Sequence, residues 1–478
     1  MKAVIMAGGE GSRLRPLTCD TPKPMVPLLG KPVMEYIIAL LKEHGITDIA
    51  VTLQYLPQVI KDYFDDGSRF YVNLKYFVED KPLGTAGSVK NCEEFLDSDF
   101  LVISGDGVCD FNLQDAIKWH KKKNAAVTIV LTRVPTPLEY GVVMTDNDGR
   151  VKRFLEKPSW SEVFADTVNT GIYIINKEIL KYIPTGTPFD FSKDLFPKLM
   201  NEGIPIFGYD AEGYWCDIGD IDAYMNTNFD GLAGKIKLYC EPEGINYNKT
   251  DKSFTIIPPV FIGHGVNIGE GSFIGPNVIL GDFSTIGKNS RVSYSIIHDY
   301  SRAGNNTEIQ GAILCHSSVL KKGASAFDRS VIGGSSVIGE NTRINPGVKI
   351  WNNKTIDDNQ NIIGNVVWGK TGGGLFEGDE ITGEAGIDIT PEICCRLGAA
   401  FASLKKGFKC GIMTDGSSVA NLLKEALSIG VSFSAAQVFD MGTGFSALLS
   451  YMINAFGLDG GFYISSKEQN VWLSILGE

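Results

Sequence analysis

Near the start of the chain, Gly8-Gly9-Glu10-Gly11-Ser12-Arg13-Leu14-Arg15-Pro16-Leu17-Thr18 places glycine and guanidinium side by side. The run follows Val4-Ile5-Met6-Ala7, which reads as a short buried strand, and leads to Pro22-Lys23-Pro24-Met25. Glycines let a backbone turn tightly and approach a ligand closely. N–H groups exposed in such a loop form a concavity for anions. Arg13, Arg15 and Lys23 bring positive charge in forms suited to phosphate. Without those cations the glycines describe only a strand-to-helix turn. No Gly-Lys-Ser/Thr follows, so the loop is not a P-loop, and it is a poor dinucleotide fingerprint.

Carboxylates stand at two further places. Asp106 follows the apolar run Phe100–Ser104, and Asp217 lies in Trp215-Cys216-Asp217-Ile218-Gly219. Alone, each is as readily a turn or cap residue. Glu156-Lys157-Pro158 alone is a solvated charge pair, and Leu83-Gly84-Thr85-Ala86-Gly87 an unremarkable turn.

The elements that must position these residues alternate. Up to about residue 230, strand-like runs at Ile46–Leu53, Asn73–Val78, Phe100–Ser104, Ala125–Thr132, Gly171–Ile175 and Ile204–Gly208 alternate with helical patterns, which argues for an α/β layer fold. Met34–His44 reads as a helix that Gly45 ends.

After about residue 255 the period becomes six. Ile262, Ile268, Ile274, Leu280, Ile286 and Val292 repeat without a break, and the pattern resumes in a shifted register at Ile332, Ile338, Ile344 and Ile350. A parallel β-helix has this period, with an aliphatic from each short strand stacked inside. The offset between the two runs is not a multiple of six, so an insertion or irregular coil is expected between them.

Lys370-Thr371-Gly372-Gly373-Gly374 reads as a hinge. Beyond it, Thr390-Pro391-Glu392 caps a helix with Ile393, Leu397, Ala400, Phe401 and Leu404 on one face. Strands at Phe408–Met413, Ala435–Phe439 and Phe462–Ser465, the last of the chain, alternate with helices at Ser418–Ser428 and Ser446–Phe456. This order implies a small α/β unit.

Composition bounds the function. The 478 residues are 44% apolar and carry net charge −12, which argues against a nucleic-acid partner. No apolar run reaches a membrane span of roughly 18 residues. Met1-Lys2 leads straight into a strand, unlike a secretory signal. The nine cysteines fit no complete disulfide framework and read as reduced thiols of a cytoplasmic protein.

The pattern Gly-Gly-x-Gly-x-Arg-Leu-x-Pro-Leu-Thr…Pro-Lys-Pro-Met resembles the signature of the sugar-1-phosphate nucleotidyltransferases. Tyr140-Gly141-Val142-Val143, Glu156-Lys157-Pro158, Val168-Asn169-Thr170-Gly171 and Trp-x-Asp-x-Gly match further motifs at that family's intervals. The resemblance implies a Rossmann-like nucleotidyltransferase domain over 1–235, a left-handed hexapeptide β-helix over 255–368, and a small α/β region over 371–478 similar to the first domain of the phosphohexomutases. It also implies the reaction, in which a nucleoside triphosphate and a hexose 1-phosphate give a nucleotide sugar and pyrophosphate. Bacterial mannose-1-phosphate guanylyltransferases are the nearest type, so GTP and mannose 1-phosphate are the expected pair. Alternatives are a glucose-1-phosphate enzyme with another base, or a silent regulatory subunit that binds sugar nucleotide.

The same resemblance assigns residues. Arg13, Lys23, Asp106, Lys157 and Asp217 would carry the chemistry, with Mg2+ on Asp106 and Asp217. Ala7, Gly8, Gly9, Gly11, Ser12, Leu83, Gly84, Thr85 and Gly87 would hold the nucleotide, and Gly141, Glu156, Lys157 and Asn169 the sugar phosphate. The β-helix would pack and assemble a homo-oligomer, and surface turns account for His264, His298 and His316. In the mutase-like region Lys467 falls on the phosphoserine position and Phe376 on an expected arginine, so mutase activity is not expected.

Overall fold

The structure, a computed structural model, describes residues 1–159, 165–240, 245–246, 253–367, 380–386, 388–467 and 470–477. The expected hinge at 370–374 and Phe376 lie outside them. The chain divides into two compact units, 1–336 with 344–353, and 337–343 with 354–478.

The first unit opens with an α/β layer. Its sheet runs in the order Val151–Glu156, Gly141–Thr145, Thr167–Ile175, Phe100–Ser104, Lys2–Ala7, Asp48–Leu53, Asn73–Val78. Val127–Arg133 also pairs with Thr167–Ile175, and Ile206–Asp210 with Val127–Arg133. Every expected strand is present, with ends shifted by at most a few residues. The strands Lys2–Ala7, Asp48–Leu53, Asn73–Val78 and Phe100–Ser104 are parallel. The first, second and fourth are largely buried, as parallel strands covered on both faces are, while Asn73–Val78 at the sheet edge is more exposed. The helix Val33–Glu43 buries every residue from Val33 to Leu41, so it lies deep in the layer rather than on its surface.

From Val260 the chain winds into a left-handed parallel β-helix. Val260–Ile262 pairs in parallel with Val278–Leu280, one coil further on. Ile274, Leu280, Ile286 and Val292 are at most 1% exposed and stack inside. Small serines fill the remaining inward positions, and several bond the next coil, as Ser272 Oγ does to Gly287 O at 2.7 Å. Corner residues such as Asn277, Asn289, Tyr300 and Asn353 adopt φ between 49° and 59°, a left-handed conformation that asparagine tolerates better than most residues.

No segment is inserted between the two periodic runs. Val278 pairs with Ser295, and Ile296 with Ile313, so two successive coils are each one residue shorter than the Val260–Val278 coil. The shortening falls at the same corner, after Arg291–Ser293 and after Glu308–Gln310. Ala303 and Ala326 also replace larger aliphatics inside, which hid the repeat.

The β-helix and the α/β layer share one core. Phe261, Ile279, Ile296, Ile313 and Val331 point outward from the coils, yet they are buried in a cluster with Leu28, Leu29, Tyr224, Leu232 and Ile236. Removing each such side chain from water contributes about 1.5–3 kcal/mol. Polar contacts border this seam. Tyr224 Oη donates to Pro27 O at 2.7 Å and lies 2.9 Å from His298 Nε2, and Arg329 Nε lies 3.0 Å from Asp222 Oδ1. His298 and His316 are therefore not explained by surface turns. Both reach the α/β layer, and burial pushes the His298 imidazole down to about 3.

The second unit contains the coil strands Val337–Ile338 and Thr355–Ile356, paired in parallel, and a further α/β layer. That sheet runs Glu380–Glu384, Asn470–Gly477, Gly460–Lys467, Lys409–Thr414, Gln437–Thr443. Pro391–Ala402 and Ser418–Phe433 pack on the face that carries Ile412, and Ser446–Phe456 on the face that carries Met413. Thr390 caps its helix as expected, its Oγ1 accepting from Ile393 N at 3.4 Å.

Three expectations here are corrected. The buried face of that helix is Cys394, Leu397, Gly398 and Ala402, because the close crossing of Gly398 and Gly430 over their neighbour's backbone turns it. Leu404 lies beyond the helix and is exposed. The last strand is Asn470–Gly477, which pairs with Gly460–Lys467 up to Lys467 opposite Asn470.

Candidate active site

The parallel strands Lys2–Ala7 and Phe100–Ser104 end at one edge of the sheet, where ligand sites of α/β sheets form. Gly105 N donates to Met6 O at 2.8 Å, which draws the chain across the end of the first strand and sets Asp106 there. A short ribbon then pairs Gly107–Cys109 with Trp215–Asp217, with Asp217 opposite Gly107. Two aspartates remote in sequence thus meet at one strand end.

Lys23 lies between them. It stands on a turn stiffened by Pro22 and Pro24 and is 8% exposed. Its Nζ donates to Asp106 Oδ2 and, at 3.1 Å, to Asp217 Oδ1. Ser104 Oγ donates to the other Asp106 oxygen at 2.5 Å. Gly11, at φ +63°, backs the Lys23 side chain so closely that a Cβ there would lie 3.0 Å from Lys23 Cβ.

A cleft of about 290 Å3 opens over the carboxylates. Of the expected residues, Arg13, Thr85, Asp106, Gly141, Glu156, Lys157, Asn169 and Asp217 line it. Ala7, Gly8, Gly9, Gly11, Ser12, Leu83, Gly84 and Gly87 belong to the segments that carry Arg13 and Thr85, not to its wall. Glu156 pairs in register with Gly141, and Lys157 N donates to Tyr140 O at 3.1 Å. Asn169 is already engaged, its Oδ1 accepting from Gly171 N and its Nδ2 donating to Tyr173 Oη. Thr85 Oγ1 donates to Asp190 Oδ1 at 2.9 Å. Arg13 lies across the opening, 3.8 Å from Glu139.

Two family models match the chain, Nucleotidyl transferase over residues 2–233 and GMPPB C-terminal domain over 256–366. A UTP--glucose-1-phosphate uridylyltransferase from Synechocystis sp. is 37% identical over 352 residues, covering 69% of this chain and 90% of that one. A mannose-1-phosphate guanyltransferase from Schizosaccharomyces pombe is 33% identical, covering 77% of this chain and 100% of that one. The chain belongs to the sugar-1-phosphate nucleotidyltransferase family. A similar enzyme from Candida glabrata is 38% identical over 46% of this chain and 61% of its own length. The solved structure of HddC from Yersinia pseudotuberculosis is 29% identical over 48% of this chain and 97% of that one, with a TM-score of 0.42.

As a nucleotidyltransferase of this family, the enzyme works with a divalent metal ion. The electrostatics of the strand end fit one. Burial works against the Asp106 carboxylate, yet the Lys23 charge and the bonds from Lys23 and Ser104 hold its pKa below the usual range. Burial and the neighbouring Asp106 charge push Asp217 up, and Lys23 and Arg13 only partly offset them. One ammonium therefore serves two carboxylates. Hard carboxylate oxygens suit a divalent cation whose shell substrate phosphates complete. Among the described residues no larger group of His, Cys, Asp or Glu is placed to hold an ion.

Ser104, Glu139, Tyr140, Ser192 and Trp215 also line the cleft without having been assigned from sequence. Tyr140 and Trp215 stood inside motifs, and their rings meet edge to face at 5.2 Å, so the motifs themselves were the signal. Ser104 and Ser192 carried none, because a lone serine at a strand or helix end is ordinary cap chemistry.

Proposed function

We propose that this nucleotidyltransferase joins GTP and mannose 1-phosphate to give GDP-mannose and pyrophosphate. The observation that carries the reading is the meeting of Asp106, Asp217 and Lys23 under the cleft that Lys157 and Glu156 also line. A phosphate oxygen of the hexose 1-phosphate attacks the α-phosphorus in line, that bond forms as the bond to the bridging oxygen breaks, and pyrophosphate leaves. No covalent protein intermediate is needed, so positioning and charge do most of the work.

In this reading Arg13 and Lys23 neutralise the triphosphate and the leaving pyrophosphate. Ala7, Gly8, Gly9, Gly11 and Ser12 bring backbone close to the phosphates, while Leu83 to Gly87 hold base and ribose. Lys157 contacts the hexose phosphate, Glu156 and Asn169 its hydroxyls, and Gly141 leaves room for it. Magnesium held by Asp106 and Asp217 supplies further charge neutralisation at the reacting phosphates.

The guanyltransferase relatives support GTP and mannose 1-phosphate, the uridylyltransferase supports UTP and glucose 1-phosphate, and the complete set of cations and carboxylates disfavours a silent subunit. Comparing kcat/KM for GTP, UTP, ATP, CTP and dTTP, each with mannose and glucose 1-phosphates, decides the pair. A preference for any other pair would overturn the substrate assignment and leave the reaction class intact.

The remaining readings are of the same kind. Parts at 1–235, 255–368 and 371–478, a cytoplasmic location, and a homo-oligomer built through the β-helix are proposed, the last tested by the solution mass of the chain cut near residue 235. The mutase-like part is proposed to be inactive. Only two residues separate Lys467 from Asn470 at the end of the paired strands, and Asp415 accepts the Ser417 and Ser466 N–H groups there. Formation of hexose 1-phosphate from hexose 6-phosphate, magnesium and catalytic bisphosphate would refute this.

A further inference from the structure

The segment between Arg13 and Lys23 is held at three places. Thr18 Oγ1 donates to Gly11 O at 2.8 Å, and Tyr55 Oη bonds Thr18 O and Cys19 O at 3.1 Å. Both contacts lie within the α/β layer. The third hold comes from the β-helix. His316 Nε2 and Asn352 Nδ2 each donate to Asp20 Oδ2 at 2.8 Å.

The β-helix corner is shaped for this contact. His316, Gly334 and Asn352 occupy the same corner in three successive coils. A Cβ on Gly334 would lie 2.5 Å from His316 Nε2, so only glycine leaves room for the ring that reaches Asp20. Asn352 Oδ1 accepts from Gly334 N at 3.1 Å, which turns its amide nitrogen outward to the same carboxylate oxygen. The middle coil, through Gly334, thus leaves room for one donor and orients the other, and both converge on one atom.

We infer that Asp20, His316 and Asn352 are positioning residues of the nucleotidyl transfer, through which the β-helix fixes the loop that presents Arg13 and Lys23. This goes beyond a packing or assembly role for the coil, and it rests on the reading that this loop holds the triphosphate. The seam core keeps the two parts together without the clamp, so losing it frees the loop and leaves the fold. The cost falls on the substrate that the loop holds. The hexose 1-phosphate side of the cleft, at Gly141, Glu156 and Lys157, lies on other strands.

The test uses the full chain, five single variants, Asp20→Ala, His316→Ala, Asn352→Ala, His316→Gln and, as a control on the loop, Arg13→Ala, and the Asp20→Ala/His316→Ala double variant. Steady-state KM is measured for the triphosphate and for the hexose 1-phosphate, and deuterium uptake is measured over residues 9–25 without substrate. Losing a hydrogen bond to a charged group predicts a rise in triphosphate KM of about fivefold to tenfold for Asp20→Ala and His316→Ala. Hexose 1-phosphate KM should stay within about twofold, and uptake over the loop should quicken. His316→Gln, which keeps a donor, should restore most of the affinity. Because the three residues act as one unit, Asp20→Ala combined with His316→Ala should be no worse than Asp20→Ala alone. Unchanged triphosphate KM and unchanged uptake in Asp20→Ala, His316→Ala and Asn352→Ala would overturn the inference. If Arg13→Ala leaves triphosphate KM unchanged, the reading of the loop fails instead, and uptake alone decides whether the clamp holds it.

Discussion

Asp217 Oδ1 lies 3.1 Å from the Lys23 ammonium, the same cation that Asp106 holds from the other side. Two carboxylates share one ammonium at a buried strand end, and the Arg13 guanidinium only partly offsets the Asp217 charge. Taking charge out of water without full pairing is costly, and such a centre favours an added cation. Asp106→Asn should keep the fold, since Lys23 retains Asp217, and lower turnover on the order of 1,000-fold, as expected for several kcal/mol of lost transition-state stabilisation. Turnover near that of the unaltered chain would remove Asp106 from the chemistry.

Lys157 lines the cleft just after the strand Val151–Glu156, on a different segment from the Arg13–Lys23 loop. Lys157→Ala removes one point charge from a phosphate site. Hexose 1-phosphate KM should rise about tenfold, with triphosphate KM unchanged. An equal rise for both substrates in steady-state kinetics would assign Lys157 elsewhere.

Gly141 faces Glu156 across two strands, and a Cβ there would lie 2.8 Å from Glu156 Oε2 and 2.8 Å from Phe154 Cζ. Gly141→Ala should displace the Glu156 carboxylate and weaken hexose 1-phosphate binding while the protein stays folded. Titration calorimetry with hexose 1-phosphate measures it, and unaltered affinity would mean that Glu156 does not bind the sugar.

Ile313 points out of the β-helix and is fully buried in the core shared with the α/β layer. Ile313→Ala should destabilise by about 2–5 kcal/mol, the range for large-to-small core changes. Denaturant unfolding reads the loss. A value below about 0.5 kcal/mol, typical of surface changes, would mean that the seam is not a core.

Much of this was legible in the residues. The strands that flank the cleft stood out because parallel strands covered on both faces are continuously apolar, as Val4-Ile5-Met6-Ala7 is. The coil stood out because only a β-helix has a period of six. The shortened coils did not, since steps of five at Ile297 and Leu314 together with Ala303 and Ala326 broke the pattern. The seam was hidden for another reason. Phe261, Ile279 and Ile296 each sit in a run of apolar residues where a coil facing water would alternate, and the periodicity was read only for its inward positions. Gly107–Cys109 was too short to read as a strand, yet its pairing brings Asp217 to Asp106. The Asp20 contacts were invisible, because nothing local marks a bond between residues so distant in the chain.

The Asp20–His316 pair carries a pH dependence of known sign. The bond to Asp20 raises the His316 pKa, burial opposes it, and the charges of Asp20 and Asp299 add to the rise, with the neutral His298 imidazole nearby. Burial pushes Asp20 up, but the bonds from His316, Thr21 and Asn352 bring it below the usual range. A raised histidine pKa contributes stability that is complete below about pH 6.5 and fades as pH rises through the folded value, and a lowered aspartate pKa contributes above about pH 4. The melting-temperature gap between the unaltered chain and His316→Gln should therefore be largest between those values and shrink toward alkaline pH. A gap that does not vary with pH would mean that the pair does not ionise as described.

The measurement that bears most directly on the central claim is pyrophosphate release by the full chain. With magnesium, GTP and mannose 1-phosphate present together, pyrophosphate should appear in equal amount with the nucleotide sugar, and omitting the metal, the triphosphate or the hexose 1-phosphate should abolish it. No release with any pairing of the common triphosphates with mannose or glucose 1-phosphate, from protein that is folded and metal-supplied, would contradict the assignment of this site to nucleotidyl transfer.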